Sequence, residues 1–112
     1  MQGTTENFDS EVLQSATPVI VDFWAPWCAP CRAVSPLLEE LATEYEGRVK
    51  LVKVNVDEEP GLADAFKIRS IPTLVTLNSG DIVDIQMGAG GRAHIEGLFE
   101  AAEASAKVEE VA

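Results

Sequence analysis

The chain has 112 residues, enough for one hydrophobic core and so for a single domain spanning residues 1–112. Eight basic residues against nineteen acidic ones leave a net charge of −11, which repels phosphate backbones and anionic lipid and argues against nucleic-acid and membrane-surface partners. No apolar run approaches the roughly 18 residues that span a bilayer.

Met1 to Asn7 contain no basic residue and no apolar stretch, so this segment does not read as a signal peptide and a cytoplasmic location is expected. Phe8, Val12 and Leu13 share one face of a short helix beginning near Asn7 or Asp9. Pro18 to Ala25 is a nearly continuous apolar, β-branched run, the pattern of a strand covered on both faces. Val34, Leu37, Leu38 and Leu41 fall at helical spacing, and Tyr45 continues the stripe until Gly47 ends it. Val49 to Asp57 predicts a second buried strand. Leu62, Ala65 and Phe66 mark a short helix, with Asp57, Glu58 and Glu59 at its positive end.

Thr73 to Leu77 and Ile82 to Met87 flank Asn78-Ser79-Gly80-Asp81, a hairpin signature. In the second of these strands Val83, Ile85 and Met87 alternate with Asp84 and Gln86, predicting a half-covered edge. Ile95, Leu98, Phe99 and Ala102 form one face of a closing helix. Gly97 within it costs on the order of 1 kcal/mol relative to alanine, so packing has to hold that helix. From about Ala106, and chiefly over 107–112, an acidic frayed tail is expected. Strands alternating with helices, then a hairpin and a helix, predict a three-layer α/β sandwich with parallel early strands and an antiparallel edge.

The chemistry is carried by Trp27-Cys28-Ala29-Pro30-Cys31, between the first buried strand and the strongest helical stripe. The two cysteines are the whole thiol complement, and a disulfide between them closes too small a loop to serve as a staple. A sulfur at Cys28 faces the unpaired N–H groups of a helix start, which favour negative charge and lower a thiol's pKa. Pro30 suits the first turn, where its missing N–H costs nothing. Cys31 lies about one turn on and more deeply buried. This arrangement predicts dithiol–disulfide exchange: Cys28 attacks a substrate disulfide, and Cys31 resolves the mixed disulfide. Two inert core cysteines are the bland alternative. A zinc site is weaker still, because two thiols and the distant His94 fall short of four ligands. No metal and no cofactor are expected beyond the Cys28–Cys31 disulfide, and His94 reads as an exposed residue of the last helix.

Asp22 interrupts the apolar strand six positions before Cys28, where charge is costly. Burial would raise its pKa and make it a proton acceptor for Cys31; the alternative is a hydrogen-bonded core aspartate. Lys53 is similarly placed in its strand. It either approaches Asp22, so that the two titrate jointly, or extends its amine to water.

From the WCAPC segment outward the chain resembles the thioredoxin family, over about Phe8 to Ala104. The likeness rests on Asp22-Phe23-Trp24-Ala25, Trp27 to Cys31, Pro36, Lys53 to Asp57, Ile68 to Thr73, Gly80 and Gly88 in that order. It implies the thioredoxin fold, with a central five-stranded mixed sheet and four flanking helices. It implies an exposed nucleophile at Cys28, a resolving thiol at Cys31, and Asp22 and Lys53 as a buried acid/base and its neighbour. Pro72 would follow a cis peptide bond facing the cysteines. Trp27, Ile71, Pro72 and Gly88, with Ala29 and Pro30 of the motif, would line the surface where a partner's extended segment docks, pairing with the Ile71 main chain. The partners implied are a thioredoxin reductase as electron donor and disulfide-containing target proteins, the chain itself acting as a monomer. Ala29 departs from the commonest motif, which has glycine there; its methyl group restricts the backbone beside the sulfur. Gly88-Ala89-Gly90-Gly91 lacks the spacing of a nucleotide loop and reads as a docking approach and a flexible turn.

A disulfide reductase is therefore the expected function. An oxidase or isomerase of an oxidising compartment would use the same parts in reverse. A redox-indifferent binding module would have no use for both cysteines beside Asp22, Trp27 and Ile71-Pro72.

Overall fold

Strand β1, Val19–Trp24, is almost wholly buried and forms one of the inner strands of the sheet. The structure, a computed structural model, describes residues 1–88 and 90–111, and of 107–111 the backbone only. After β1 come α1 (Ala29–Glu44), β2 (Lys50–Asn55), α2 (Pro60–Ala65), β3 (Thr73–Asn78), β4 (Asp81–Met87) and α3 (Arg92–Val111). A five-residue π-helical segment, Asp9–Leu13, precedes them where a short helix was expected. The side chains beyond Ala106, and Ala112 itself, lie outside the described residues; where a frayed tail was expected from about Ala106, the described backbone continues as α3 to Val111.

The sheet runs β2-β1-β3-β4. β1 and β2 are parallel, joined through α1, while β3 is antiparallel to both β1 and β4. Helices cover both faces, giving the three-layer α/β arrangement. On one face α1 and α3 bury Leu38, Leu41, Ile95 and Phe99 against Ile20 and Leu74. On the other, Phe8 and Val12 join Val21, Phe23 and Val75, with Leu62 and Phe66 packed against them. The Phe66 ring stands 5.5 Å from Phe8 and 5.3 Å from Phe23. Within α2, Ala65 points to solvent, in contrast to Leu62 and Phe66. Glu59 does not cap α2 with its side chain; it accepts instead from the Thr5 backbone N–H and hydroxyl, both at 2.8 Å.

Two expectations are corrected. The sheet has four strands among the described residues, not five. The N-terminus reaches β2 only as an isolated parallel bridge from Gln2 to Lys53, because the Thr4–Asn7 turn ends the pairing after Gly3. Strand β4 is also more exposed than a half-covered edge: Ile82, Val83, Ile85 and Met87 each keep 48–70% of their surface. A bulge between Thr76 and Leu77 breaks the simple alternation and leaves Ile82 opposite Leu77 and Ile85 opposite Val75. The hairpin itself forms as its residues require. Ser79 and Gly80 have φ values of 53° and 84°, the two left-handed positions of a turn matched to strand twist.

Phe99 carries no exposed surface, and its ring lies 5.3 Å from that of Tyr45. Phe99→Ala should lower stability by about 3–5 kcal/mol through lost burial and the cavity left behind. Guanidinium unfolding would read this as a lower midpoint at unchanged slope.

Candidate active site

The chain leaves β1 at Trp24 and reaches α1 within four residues, so a strand end delivers the first cysteine to a helix start. Cys28 is the N-cap of α1, with extended backbone angles, φ −87° and ψ 106°. Its Sγ accepts the backbone N–H of Cys31 at 3.2 Å. Pro30 occupies the first turn, as expected. Cys28 and Cys31 are joined as a disulfide, with their Cα atoms 5.3 Å apart.

Both sulfurs sit in a small apolar cluster with Ala25, bordered by Trp24, Val56 and Ile71. Cys28 therefore exposes only 5% of its surface and Cys31 2%, so the freely exposed nucleophile implied by the resemblance is in fact a rim position in the oxidised protein. The Ile71 carbonyl oxygen lies 3.8 Å from Cys28 Sγ.

The peptide bond between Ile71 and Pro72 is cis. Ile71 is half-buried, and Pro72 is buried beneath the surface it was expected to line. The large exposed side chain on that surface is Trp27, at 66%. Its indole N–H donates to Asp57 Oδ2 at 2.9 Å, which fixes the ring over the site. Gly88 has φ +85°, and its N–H donates to the Pro72 carbonyl at 2.8 Å, which ties the end of β4 to the turn before β3. A Cβ at Gly88 would meet nothing within 4 Å, so the glycine is demanded by its backbone angle and the space above it is open. Ala29 and Pro30 are exposed at the first turn of α1. A cavity of about 180 Å³ beside this surface is lined by Trp27, Val56, Ile68, Arg69 and Ile71.

Behind the disulfide lies a second cavity, of about 420 Å³, whose walls include Asp22, Trp24, Cys31, Ser35, Glu39 and Lys53. Asp22 is 1% exposed, and its Oδ1 has no hydrogen-bond partner among the described residues. Burial is the main reason its pKa rises from 3.8 to about 6; Lys53 lowers it in part and Glu39 adds to the rise. Asp22 and Lys53 are neighbours in register across β1 and β2, so the two strands lie side by side as the first of the two expected alternatives requires. Lys53 nevertheless makes its closest contact elsewhere, donating from Nζ to Ser35 Oγ at 2.7 Å.

Ser35 and Glu39 are absent from the residues singled out in the sequence. They lie four and eight positions after Cys31 and so continue its line along α1, which is the signal that points to them. His94 is exposed on α3, as expected. Among the described residues no three His, Cys, Asp or Glu side chains are grouped to hold a metal ion, and no helix is long and apolar enough to cross a membrane.

A model of the family described as Thioredoxin matches residues 1–101. The chain belongs to the thioredoxin family. It is 54% identical over 88 residues to Thioredoxin 1 of Nostoc sp., covering 79% of this chain and 82% of that protein. With the thioredoxin of Synechocystis sp. it shares 51% identity over 88 residues, with the same two coverages. With that of Haemophilus influenzae it shares 48% over 83 residues, covering 74% and 78%. The fold is accordingly the thioredoxin fold, here with four strands. The protein is a thiol–disulfide oxidoreductase acting by dithiol–disulfide exchange, and the Cys28–Cys31 disulfide is its active group.

The raised pKa of Asp22 sets a stability test. The unfolded carboxyl ionises at 3.8 and the folded one at about 6, so between these values the folded state holds a proton that the unfolded state has released. Stability therefore falls as pH rises through that window and stays lower above it. Asp22→Asn should stabilise the oxidised protein by about 2–3 kcal/mol at neutral pH and give no such gain below the lower value. Urea unfolding at the two pH values reads the difference.

Proposed function

We propose that the protein is a general reductant of protein disulfides, with Cys28 as nucleophile and Cys31 as resolving thiol. The observation that carries this reading is the seat of Cys28 Sγ at the N-cap of α1, facing the Cys31 N–H. A helix start of this kind stabilises the thiolate that forms on reduction. In the first step the Cys28 thiolate attacks one sulfur of a target disulfide. The target S–S bond breaks, a mixed disulfide forms, and the released target thiolate takes a proton from water.

In the second step Cys31 gives its proton to Asp22, and the new thiolate attacks Cys28 Sγ. The mixed disulfide breaks, the second target thiolate leaves and is protonated, and the Cys28–Cys31 disulfide is formed. Two electrons have passed to the target. Asp22 is suited to this proton transfer because its pKa near neutrality makes it a base that can also release the proton again. Lys53 tempers that pKa from the neighbouring strand.

Trp27, Ile71 and Gly88 form the docking surface, with Ala29 and Pro30 at its edge and Pro72 supporting it from below. An extended target segment would pair with the main chain of Ile71 and bring its disulfide to Cys28. The reduced state is restored by a thioredoxin reductase, and the protein works as a cytoplasmic monomer without metal or cofactor. One domain occupies residues 1–112. Family membership supports the reductase and the disulfide targets as partners, and the net charge of −11 disfavours nucleic acid and anionic membranes.

Reduction of insulin disulfides, driven by NADPH and a thioredoxin reductase, tests the assignment. Cys28→Ser should abolish the reaction. Cys31→Ser should lose turnover yet accumulate a mixed disulfide with insulin, visible by non-reducing electrophoresis. Accumulation in Cys28→Ser instead would reverse the two roles.

A further inference from the structure

The cavity behind Cys31 contains a contact that the two-step exchange does not use. Lys53 Nζ donates to Ser35 Oγ at 2.7 Å, stands 3.8 Å from Glu39 Oε1, and lies 5.0 Å from the centre of the Trp24 ring. Among the described residues no ion pair within 4.0 Å joins it to Asp22, although the two positions are paired across β1 and β2. Asp22 Oδ1 meanwhile is buried without a partner among the described residues. A lysine is a point charge on a flexible stem, and an ionised carboxylate in a poorly solvated cavity attracts it strongly. Something must hold the ammonium on the α1 side.

We infer that Ser35 is a positioning residue whose hydroxyl anchors the Lys53 ammonium against α1 and keeps it from closing an ion pair with Asp22. This deepens the role proposed above for Asp22 and rests on it. A direct ion pair would hold the carboxylate ionised and make it a poor acceptor for the Cys31 proton. An ammonium held at a distance still solvates the charged form without removing its basicity. The anchor is placed by helical spacing: Cys31, Ser35 and Glu39 follow one another at intervals of four along α1, so the resolving sulfur, the hydroxyl and the competing carboxylate border one cavity.

The remaining groups around Asp22 are accounted for. β2 contributes Lys53, and α1 contributes Glu39, Arg32 and the Cys31 sulfur. β3 sets Leu74 opposite Asp22. α3 supplies Ile95, Leu98 and Phe99 to the apolar core on the same side of the sheet. Lys53 is thus the cation whose position Ser35 controls, and Glu39 is its other anionic partner.

The test follows the Asp22 carboxyl carbon by NMR in the oxidised protein across the acidic and neutral pH range. This readout needs no turnover, so it remains interpretable even if the Cys28→Ser assay overturns the proposed function. Ser35→Ala introduces a strong helix former into α1 and should fold normally. The expected result is a fall of about one pH unit in the Asp22 midpoint, about tenfold in proton affinity, as Lys53 moves onto the carboxylate. Ser35→Thr, which retains the hydroxyl, should keep the wild-type midpoint. In the reduced protein, the pH profile for resolving a mixed disulfide should move in the same direction in Ser35→Ala. An unchanged midpoint in Ser35→Ala would overturn the inference. So would an upward shift, which means that the freed ammonium goes to Glu39 and was never restrained from Asp22.

Discussion

A carboxyl group sealed into the sheet directly behind a helix start is the constraint on which the arrangement depends. β1 lies between β2 and β3 in the sheet, so any polar residue on its helix-covered face is cut off from water. Asp22 occupies such a position, and the chain then has four residues in which to leave the strand and begin α1. The same short connection sets Cys28 at the N-cap and turns Cys31 inward, toward the cavity that Asp22 also lines. Carboxyl, resolving sulfur and nucleophile therefore stand in sequence from the interior to the surface. The strand order alone brings Lys53 alongside.

This arrangement works against stability. Replacing Asp22 by an uncharged residue would complete the apolar layer formed by Ile20, Leu74 and the α1 and α3 side chains. The fold accommodates the charge because two large clusters, one on each face of the sheet, supply the burial that holds the rest. Polar groups in this cavity are only partly satisfied: Lys53 has Ser35 and Glu39, whereas Asp22 Oδ1 and the Trp24 indole N–H have no partner among the described residues. Strain of this kind in a site is typical where proton affinity is put to use.

Much of this was legible in the chain. The β-branched run of β1, the Val34–Leu38–Leu41 stripe and the Ile95–Phe99–Ala102 face each announced their burial, because strand and helix periods differ. The position of Cys28 between a buried strand and a helical stripe located the chemistry. What escaped was tertiary. The alternation of Val83, Ile85 and Met87 with Asp84 and Gln86 announced a covered face, but whether a helix reaches the edge strand is set by the tertiary arrangement, and no β4 residue joins either core cluster among the described residues. The fifth strand implied by the resemblance had no segment of its own in the sequence pattern; among the described residues the N-terminus meets β2 only as a bridge, and a turn at Thr4–Asn7 follows it. Ser35 looked like an ordinary helix residue until Lys53 was seen to reach across from the sheet. Cys28 proved more covered than implied, because Ala25, Trp24, Val56 and Ile71 pack around the sulfur pair, and Pro72 is buried as well.

Among the described residues strand β4 ends the sheet, with one side of its backbone ladder unpaired by a neighbouring strand, and it exposes Ile82, Val83, Ile85 and Met87. Such a margin is a template on which a second copy could add strand to strand. Asp81 and Asp84 lie on the same segment, and every molecule bears eleven surplus negative charges. Colloidal repulsion thus does for this margin what a covering helix does elsewhere in the fold. Because ions shorten the reach of that repulsion to about 8 Å at physiological strength, the protein's solubility is tied to the ionic composition of its surroundings.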